Sequence, residues 1–225
     1  MARPPKRARA CAALPDAAGM LDAFSVGAPQ PHVGRVRQFA HVEGDFAALV
    51  FLPVQLTSTL AKHIAAVRSA LALHAVSTVQ AVDPAGLHIS LSRTFTLKRP
   101  QLLPFTDALR KAFRPRRPLK LRAHGVQMLC NETRTCFFGT LAMRPVAAAD
   151  EEEARALLAS VDAVLGAFGK PPFYQPPILH MSVAWSVAPF QSVSMPSFEY
   201  ETCADRVLCK LGAKVEEFRL SKKPP

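Results

Sequence analysis

A chain of 225 residues with 49% hydrophobic content can bury a real core, as one domain or two small lobes, and this excludes a disorder-dominated protein. Lys and Arg outnumber Asp and Glu by 28 to 17, a formal charge of +11 that favours a polyanionic partner or an acidic surface without choosing between them. The five cysteines (Cys11, Cys130, Cys136, Cys203 and Cys209) are odd in number and lack any C-x-x-C pair or metal-ligand spacing, no apolar run approaches a membrane span, and the N-terminus has no secretory core, so reduced thiols in a soluble intracellular protein are expected.

Residues 1 to 33 combine Pro4, Pro5, Pro15, Pro29 and Pro31 with many alanines and no sustained hydrophobic period, the pattern of a disordered basic tail. Within it Pro5, Lys6, Arg7, Ala8 and Arg9 look like a short nuclear-import signal. An organellar transit peptide is the rival, although two early prolines with Asp16 and Asp22 count against a clean amphipathic helix. The folded domain is expected over residues 34 to 221.

The apolar run from Phe46 to Leu52, closed by Pro53, predicts a buried strand. From Thr57, an N-cap, Leu60, Ile64, Val67 and Leu71 recur at helical spacing. Next comes Gly86-Leu87-His88-Ile89-Ser90-Leu91-Ser92. In an extended strand Leu87, Ile89 and Leu91 sink into a core while His88, Ser90 and Ser92 line the other face. That strand is expected to continue through Thr94, Phe95, Thr96 and Leu97 until Pro100. A short helix follows with Phe105, Leu109 and Phe113 on its apolar side, ended by Pro115 and Pro118.

Between Arg93 and Arg122 ten basic residues face the single acid Asp107, either as a polyanion-binding surface or as a solvated face. Residues 119 to 129 and 135 to 143 read as a hairpin turning on Asn131, Glu132, Thr133 and Arg134. Asp150 then caps the clearest helix, with Glu151, Glu152 and Glu153 at its positive end and Ala154, Leu157, Leu158, Val161, Leu165 and Phe168 on one face.

After a Pro-rich loop holding Phe173, Tyr174 and Gln175 comes an echo of the first histidine strand. Leu179, Met181 and Val183 go inward, and His180 with Ser182 go outward. By the same alternation Trp185 falls on the inward side and stays out of the site. Arg206 to Leu211 and Lys214 to Leu220, joined at Gly212 and Ala213, read as a closing hairpin. Strands, helix and histidine strand thus occur twice, as two related lobes. His32, His41, His63, His74 and His124, none with a hydroxyl two residues later, read as surface or interfacial histidines.

Two strands that each carry a histidine and a hydroxyl suggest a paired acid and base with hydroxyls ready for an oxyanion, the chemistry of a phosphodiester. With RNA the nucleophile is the substrate's own 2′-hydroxyl, and the arrangement requires no metal. The His-x-Ser pairs, together with Gly34-Arg35-Val36-Arg37, the block from His88 to Leu109, Asn131 through Gly139, Phe173-Tyr174-Gln175 leading into His180 through Trp185, and Arg206, Cys209 and Lys210, resemble the 2H phosphoesterase superfamily over roughly residues 34 to 220. The match is closest to the branch whose members trim the oligouridine 3′ end of U6 small nuclear RNA.

The resemblance implies an α+β fold of two pseudo-symmetric antiparallel-sheet lobes with flanking helices around a central cleft. It implies a metal-independent, monomeric, nuclear 3′-to-5′ exoribonuclease of lyase type, with no cofactor. His88 and His180 become the acid and base in an order left open, Ser90 and Ser182 the phosphate-binding hydroxyls, and Tyr174 the base-stacking ring. A 2H cyclic phosphodiesterase or ligase-like enzyme on other RNA ends, and a catalytically silent RNA-binding module, are the alternatives. Residues 189 to 202 depart from the family pattern.

Overall fold

Short apolar runs bounded by Pro and Gly, separated by three amphipathic helices, assemble as two sheets in the computed structural model, which describes residues 12–13, 42–73, 75–114, 116–191 and 199–221. The import-like stretch at 5–9, the block at 34–41, and His32, His41 and His74 lie outside those residues. Ala12 and Ala13, within the stretch expected to be tail, form a two-residue strand.

The elements in order are β1 (Ala12–Ala13), β2 (Asp45–Pro53), α1 (Ser58–Leu73), β3 (Gln80–Ala81), β4 (His88–Ser90), β5 (Phe95–Lys98), α2 (Leu102–Phe113), β6 (Leu119–Cys130), β7 (Phe137–Pro145), α3 (Ala148–Ala167), β8 (His180–Ser186), β9 (Glu201–Ala204), β10 (Arg206–Leu211) and β11 (Lys214–Arg219). Among the described residues one sheet runs β1-β6-β7-β8-β3, with β9 also on β6, and the other runs β11-β10-β2-β4, with β5 also on β2. Every pairing is antiparallel except that of β1 with β6. The expected duplication is present as β2-α1-β4 and β7-α3-β8, in which a helix separates two antiparallel partners.

The helices form where the apolar spacing places them. Thr57 Oγ1 accepts the Leu60 N–H at 3.1 Å and starts α1, whose buried residues are Leu60, Ile64, Val67 and Leu71. In α2, Phe105 stacks between Phe95 and Phe168 while Phe113 meets Phe218. The start of α3 differs from expectation. Asp150 lies in the first turn, three residues past the extended Ala147, and its carboxylate reaches back to the Ala147 N–H at 3.3 Å. The same carboxylate holds Arg117 Nη1 at 3.0 Å, tying α3 to the chain entering β6.

The basic run is largely absorbed into the fold. Arg93, Lys98, Arg110, Arg116, Arg117 and Arg122 all pair with carboxylates, while Arg99, Lys111, Arg114 and Lys120 are exposed.

The strand holding His88 does not continue to Pro100. It stops at Ser90, and four residues, 91–94, stand against only Leu49 and Val50 of β2 before β5 resumes the pairing. Ser92, expected beside His88 and Ser90, is 1% exposed and its hydroxyl accepts the Val50 N–H at 2.9 Å. It replaces a ladder bond lost to the bulge, which removes it from the site face. β3 and β9, two short edge strands, have no periodic signal in the sequence.

Candidate active site

The histidine strands lie in different sheets, β4 at one edge of β2 and β8 between β7 and β3, and the two sheets meet where β4 faces β8. Register fixes which side chains share the facing surface. His88 and Ser90 stand opposite Pro53 and Phe51 of β2, and His180 and Ser182 stand opposite Ala142 and Thr140 of β7. The Phe51 ring meets the His88 ring edge-on, 5.2 Å between centroids. The Thr140 hydroxyl, fully buried, is committed to the Gln127 carbonyl at 2.8 Å.

Each imidazole is anchored the same way. His88 Nδ1 donates to the Gly86 carbonyl, and His180 Nδ1 donates to the Ile178 carbonyl at 2.8 Å, in both cases two residues earlier. A carbonyl can only accept, so the proton is fixed on Nδ1 and each Nε2 keeps its lone pair for chemistry. The Gly86 carbonyl is itself held at the end of a 3-10 turn, Pro84–Gly86, capped by Asp83 Oδ1 accepting from Ala85 N at 2.9 Å.

Burial is the main influence on both rings. His88 is half-buried and His180 is 5% exposed. Desolvation pushes the His88 pKa below its usual 6.5, against the bond to the Gly86 carbonyl and with help from the charge of Lys210. Desolvation lowers His180 to about 4, against the Ile178 bond and with help from the charge of His88. Ser90 is 8% exposed and Ser182 half-buried, and unlike that of Ser92 neither hydroxyl has a hydrogen-bond partner among the described residues.

Tyr174 lies beside this surface but is 7% exposed, with Phe173 at 5.1 Å on one side and the guanidinium of Arg93 over its ring at 4.3 Å. Trp185 does not fall on the face that simple alternation gives it. Thr140 pairs with Ser182 but Gly139 pairs with Ala184, so Val183 is bulged and Trp185, opposite Phe138, returns to the face of Thr140 and Ser182. It remains 9% exposed.

Lys210 and Arg93 are the residues that sequence reasoning did not place here. Lys210 pairs with Leu49, two residues from Phe51, which puts it on the same face as Ser90 across β2. Only strand register reveals this. Arg93 was one cation of a run, and its partners Tyr174 and Glu132 are distant in the chain. Among the described residues no three His, Cys, Asp or Glu side chains gather as a metal-ligand set, and no helix is long and apolar enough to cross a membrane.

Three comparisons place this geometry among known proteins. The model of the HVSL family, described as an uncharacterised conserved protein, matches residues 14–219. The U6 snRNA phosphodiesterase 1 of Drosophila melanogaster is 30% identical over 164 residues, covering 71% of this chain and 59% of that protein, so the chain spans about three-fifths of its relative's length. Among solved structures, Usb1 of Kluyveromyces marxianus, also solved with uridine monophosphate, superposes with a TM-score of 0.57 at 15% identity over 77% of this chain and 98% of that one. LigT of E. coli complexed with 3′-AMP gives 0.52 at 12% identity, over 79% and 96%. At these identities the structural likeness is one of fold, and that fold is the 2H phosphoesterase fold expected from the sequence.

Proposed function

The chain belongs to the HVSL family, and from that premise we propose that it is a 3′-to-5′ exoribonuclease that trims oligouridine ends of U6-type small nuclear RNA by transesterification. The observation that carries the reading is the pair of histidines on opposed strands, each with Nδ1 fixed and Nε2 left for proton transfer. The relative named for U6 snRNA and the neighbour solved with uridine monophosphate supply the substrate class.

In the proposed reaction one Nε2 takes the proton of the penultimate 2′-hydroxyl. The 2′-oxygen bonds to the adjacent phosphorus, the bond from phosphorus to the 5′-oxygen breaks, and the other imidazolium protonates that oxygen. The products are a 2′,3′-cyclic phosphate on the shortened RNA and a released nucleoside with a free 5′-hydroxyl. Water is not consumed, so the step is of lyase type. Water admitted to the same site with the roles reversed opens the cycle to a 3′-phosphate.

His180 is the more deeply buried ring, 5% exposed against a half-buried His88, and burial disfavours its charged form, so the first proton taken up by the pair belongs on His88. That makes His88 the acid and His180 the base. Ser90 and Ser182 donate to the non-bridging oxygens as their charge grows, with the Lys210 cation on the same side as Ser90. Tyr174 supports the terminal base. The protein acts as a monomer, without a cofactor, and in the nucleus, where its U6 substrate class is used.

The test is an RNA carrying one 2′-deoxyuridine at the penultimate position. Shortening of the all-ribose RNA but not of this one supports the reading, and equal shortening of both refutes it. Opening of a terminal 2′,3′-cyclic phosphate by water, with no shortening of either RNA, assigns the site instead to cyclic phosphodiesterase chemistry.

A further inference from the structure

The face that carries His180 continues across its own sheet as a row of cations. Ala142 of β7 pairs with His180, so Arg144, two residues and about 7 Å further along the same strand, shares that face. Arg144 stands directly opposite Arg122 of β6, and Arg122 stands opposite Glu201 of β9. Lys120, Arg122 and His124 alternate along β6 as exposed residues, while the intervening Leu121 and Ala123 are buried. Like charges directly opposite on neighbouring strands destabilise a sheet. Glu201 offsets one of the opposed pair, its Oε1 lying 2.6 Å from Arg122 Nη2. Arg144 and Lys120 are exposed and form no ion pair among the described residues.

The direction of the RNA follows from the chemistry proposed above, in which His180 takes the 2′-hydroxyl proton and His88 protonates the departing 5′-oxygen. In an in-line displacement those two oxygens lie on opposite sides of the phosphorus. The ribose that keeps the cyclic phosphate therefore sits on the β8 side and the departing nucleoside on the β4 side, where Tyr174, lying against Arg93 just beyond β4, supports its base. Removal of one terminal nucleoside leaves no phosphate 3′ of the cut, so every other phosphate lies upstream, past β8. We propose that the RNA upstream of the cut leaves the catalytic gap across β7 and β6, with Arg144 holding the phosphate next to the scissile one and Arg122 and Lys120 holding those that follow. The planar fork of a guanidinium matches two phosphate oxygens at once, and an anion between Arg144 and Arg122 relieves their mutual repulsion. The inference rests on the RNA reading above and names the path of the strand through that site.

The experiment is a binding cycle on full-length His88→Ala protein, which leaves the RNA uncut, with thermal melting as the check of folding. A short oligouridylate is compared with the same RNA carrying one neutral methylphosphonate in place of the phosphate next upstream of the scissile one. Each is titrated against the parent, Arg144→Gln and Arg206→Gln, the last because Arg206 stands opposite Arg219 on the sheet of His88 and offers the rival path. The methylphosphonate weakens binding to the parent by roughly fivefold. Arg144→Gln weakens binding of the all-phosphate RNA by a similar factor and reduces the slope of log K against log salt by about 0.7. The two changes together cost no more than either alone, because they remove the same contact. With Arg206→Gln the methylphosphonate effect stays at its full size. Losses at Arg144 and at the methylphosphonate that multiply overturn the proposal, and so does coupling of the methylphosphonate to Arg206. Failure of the protein with both histidines intact to shorten RNA removes the functional reading, whereas normal shortening alongside multiplied losses removes only this path.

Discussion

His88 and His180, 92 positions apart in the chain, are held by the same device: each donates its Nδ1 proton to the backbone carbonyl two residues before it, and each keeps the lone pair of Nε2. The repeat unit that produces this is a strand, a helix and an antiparallel return strand that begins with histidine. Two copies facing each other bring together two groups that titrate near neutrality, which a single copy does not supply.

Replacing either histidine by alanine removes a proton-transfer group and should lower the turnover number by about 10² to 10⁴. The circular dichroism spectrum should be unchanged, because the hydrogen bond of each ring runs only to a carbonyl two residues earlier in the chain. Steady-state turnover on a short RNA checks this. If one variant keeps full activity, the paired acid-base account fails.

The His180 pKa, lowered to about 4 first by burial and then by the charge of His88 against the bond to Ile178, makes stability pH-dependent. The unfolded imidazole takes up a proton near 6.5 and the folded one does not. The stabilisation is therefore fully present above 6.5 and is lost as pH falls from 6.5 toward 4, by an amount on the order of 3 kcal/mol. Melting temperatures across this range should fall steeply for the natural protein and more shallowly for His180→Asn. Parallel curves would show that His180 is not the group responsible.

A Cβ at Gly139 of β7 would run into Leu71 Cδ1 of α1, a fully buried side chain that would have to shift to admit it. Gly139→Ala should destabilise the fold by about 1 to 3 kcal/mol through overpacking. Adding Leu71→Ala should restore part of the loss, a non-additive pair by denaturant unfolding. Simple additivity of the two would place α1 elsewhere on the sheet.

Asp150 accepts from Ala147 N, Arg117 Nη1 and Lys120 N, at 3.3, 3.0 and 3.4 Å. Asp150→Ala removes a carboxylate that satisfies the start of α3 and leaves Arg117 only its longer pairing with Glu153, at a cost of about 1 to 3 kcal/mol with little effect on catalysis. Chemical denaturation and turnover, measured side by side, separate these two effects.

Much of this architecture is legible in the linear sequence because it rests on local rules. The stripe Leu60, Ile64, Val67 and Leu71 specifies one helix, and Gly212 at φ +60 closes the final hairpin where a turn was expected. Alternation around His88 and His180 put histidine and serine on one face of each strand. The errors arose where alternation is interrupted. Two extra residues at 91–94 leave the alternation beyond them intact but take Ser92 out of the ladder, while the single extra residue Val183 turns Trp185 to the face of Ser182 within the core; a bulge of ordinary residues has no local signature. Arg93 and Lys210 owe their positions to register and to partners far away in sequence, so their place beside the site needed three dimensions. The offset of Asp150 from the cap position has a simpler cause: a carboxylate in the first turn reaches back to the same N–H group.

The most direct test of the account is mass analysis of RNA ends after an oligouridine-tailed RNA is incubated, in EDTA, with the natural protein and with His180→Ala. The account predicts stepwise shortening by the natural protein, with every shortened end carrying a 2′,3′-cyclic phosphate or the 3′-phosphate formed by opening it, and no shortening by the variant. Ends bearing a 3′-hydroxyl, or activity abolished by EDTA, would contradict it.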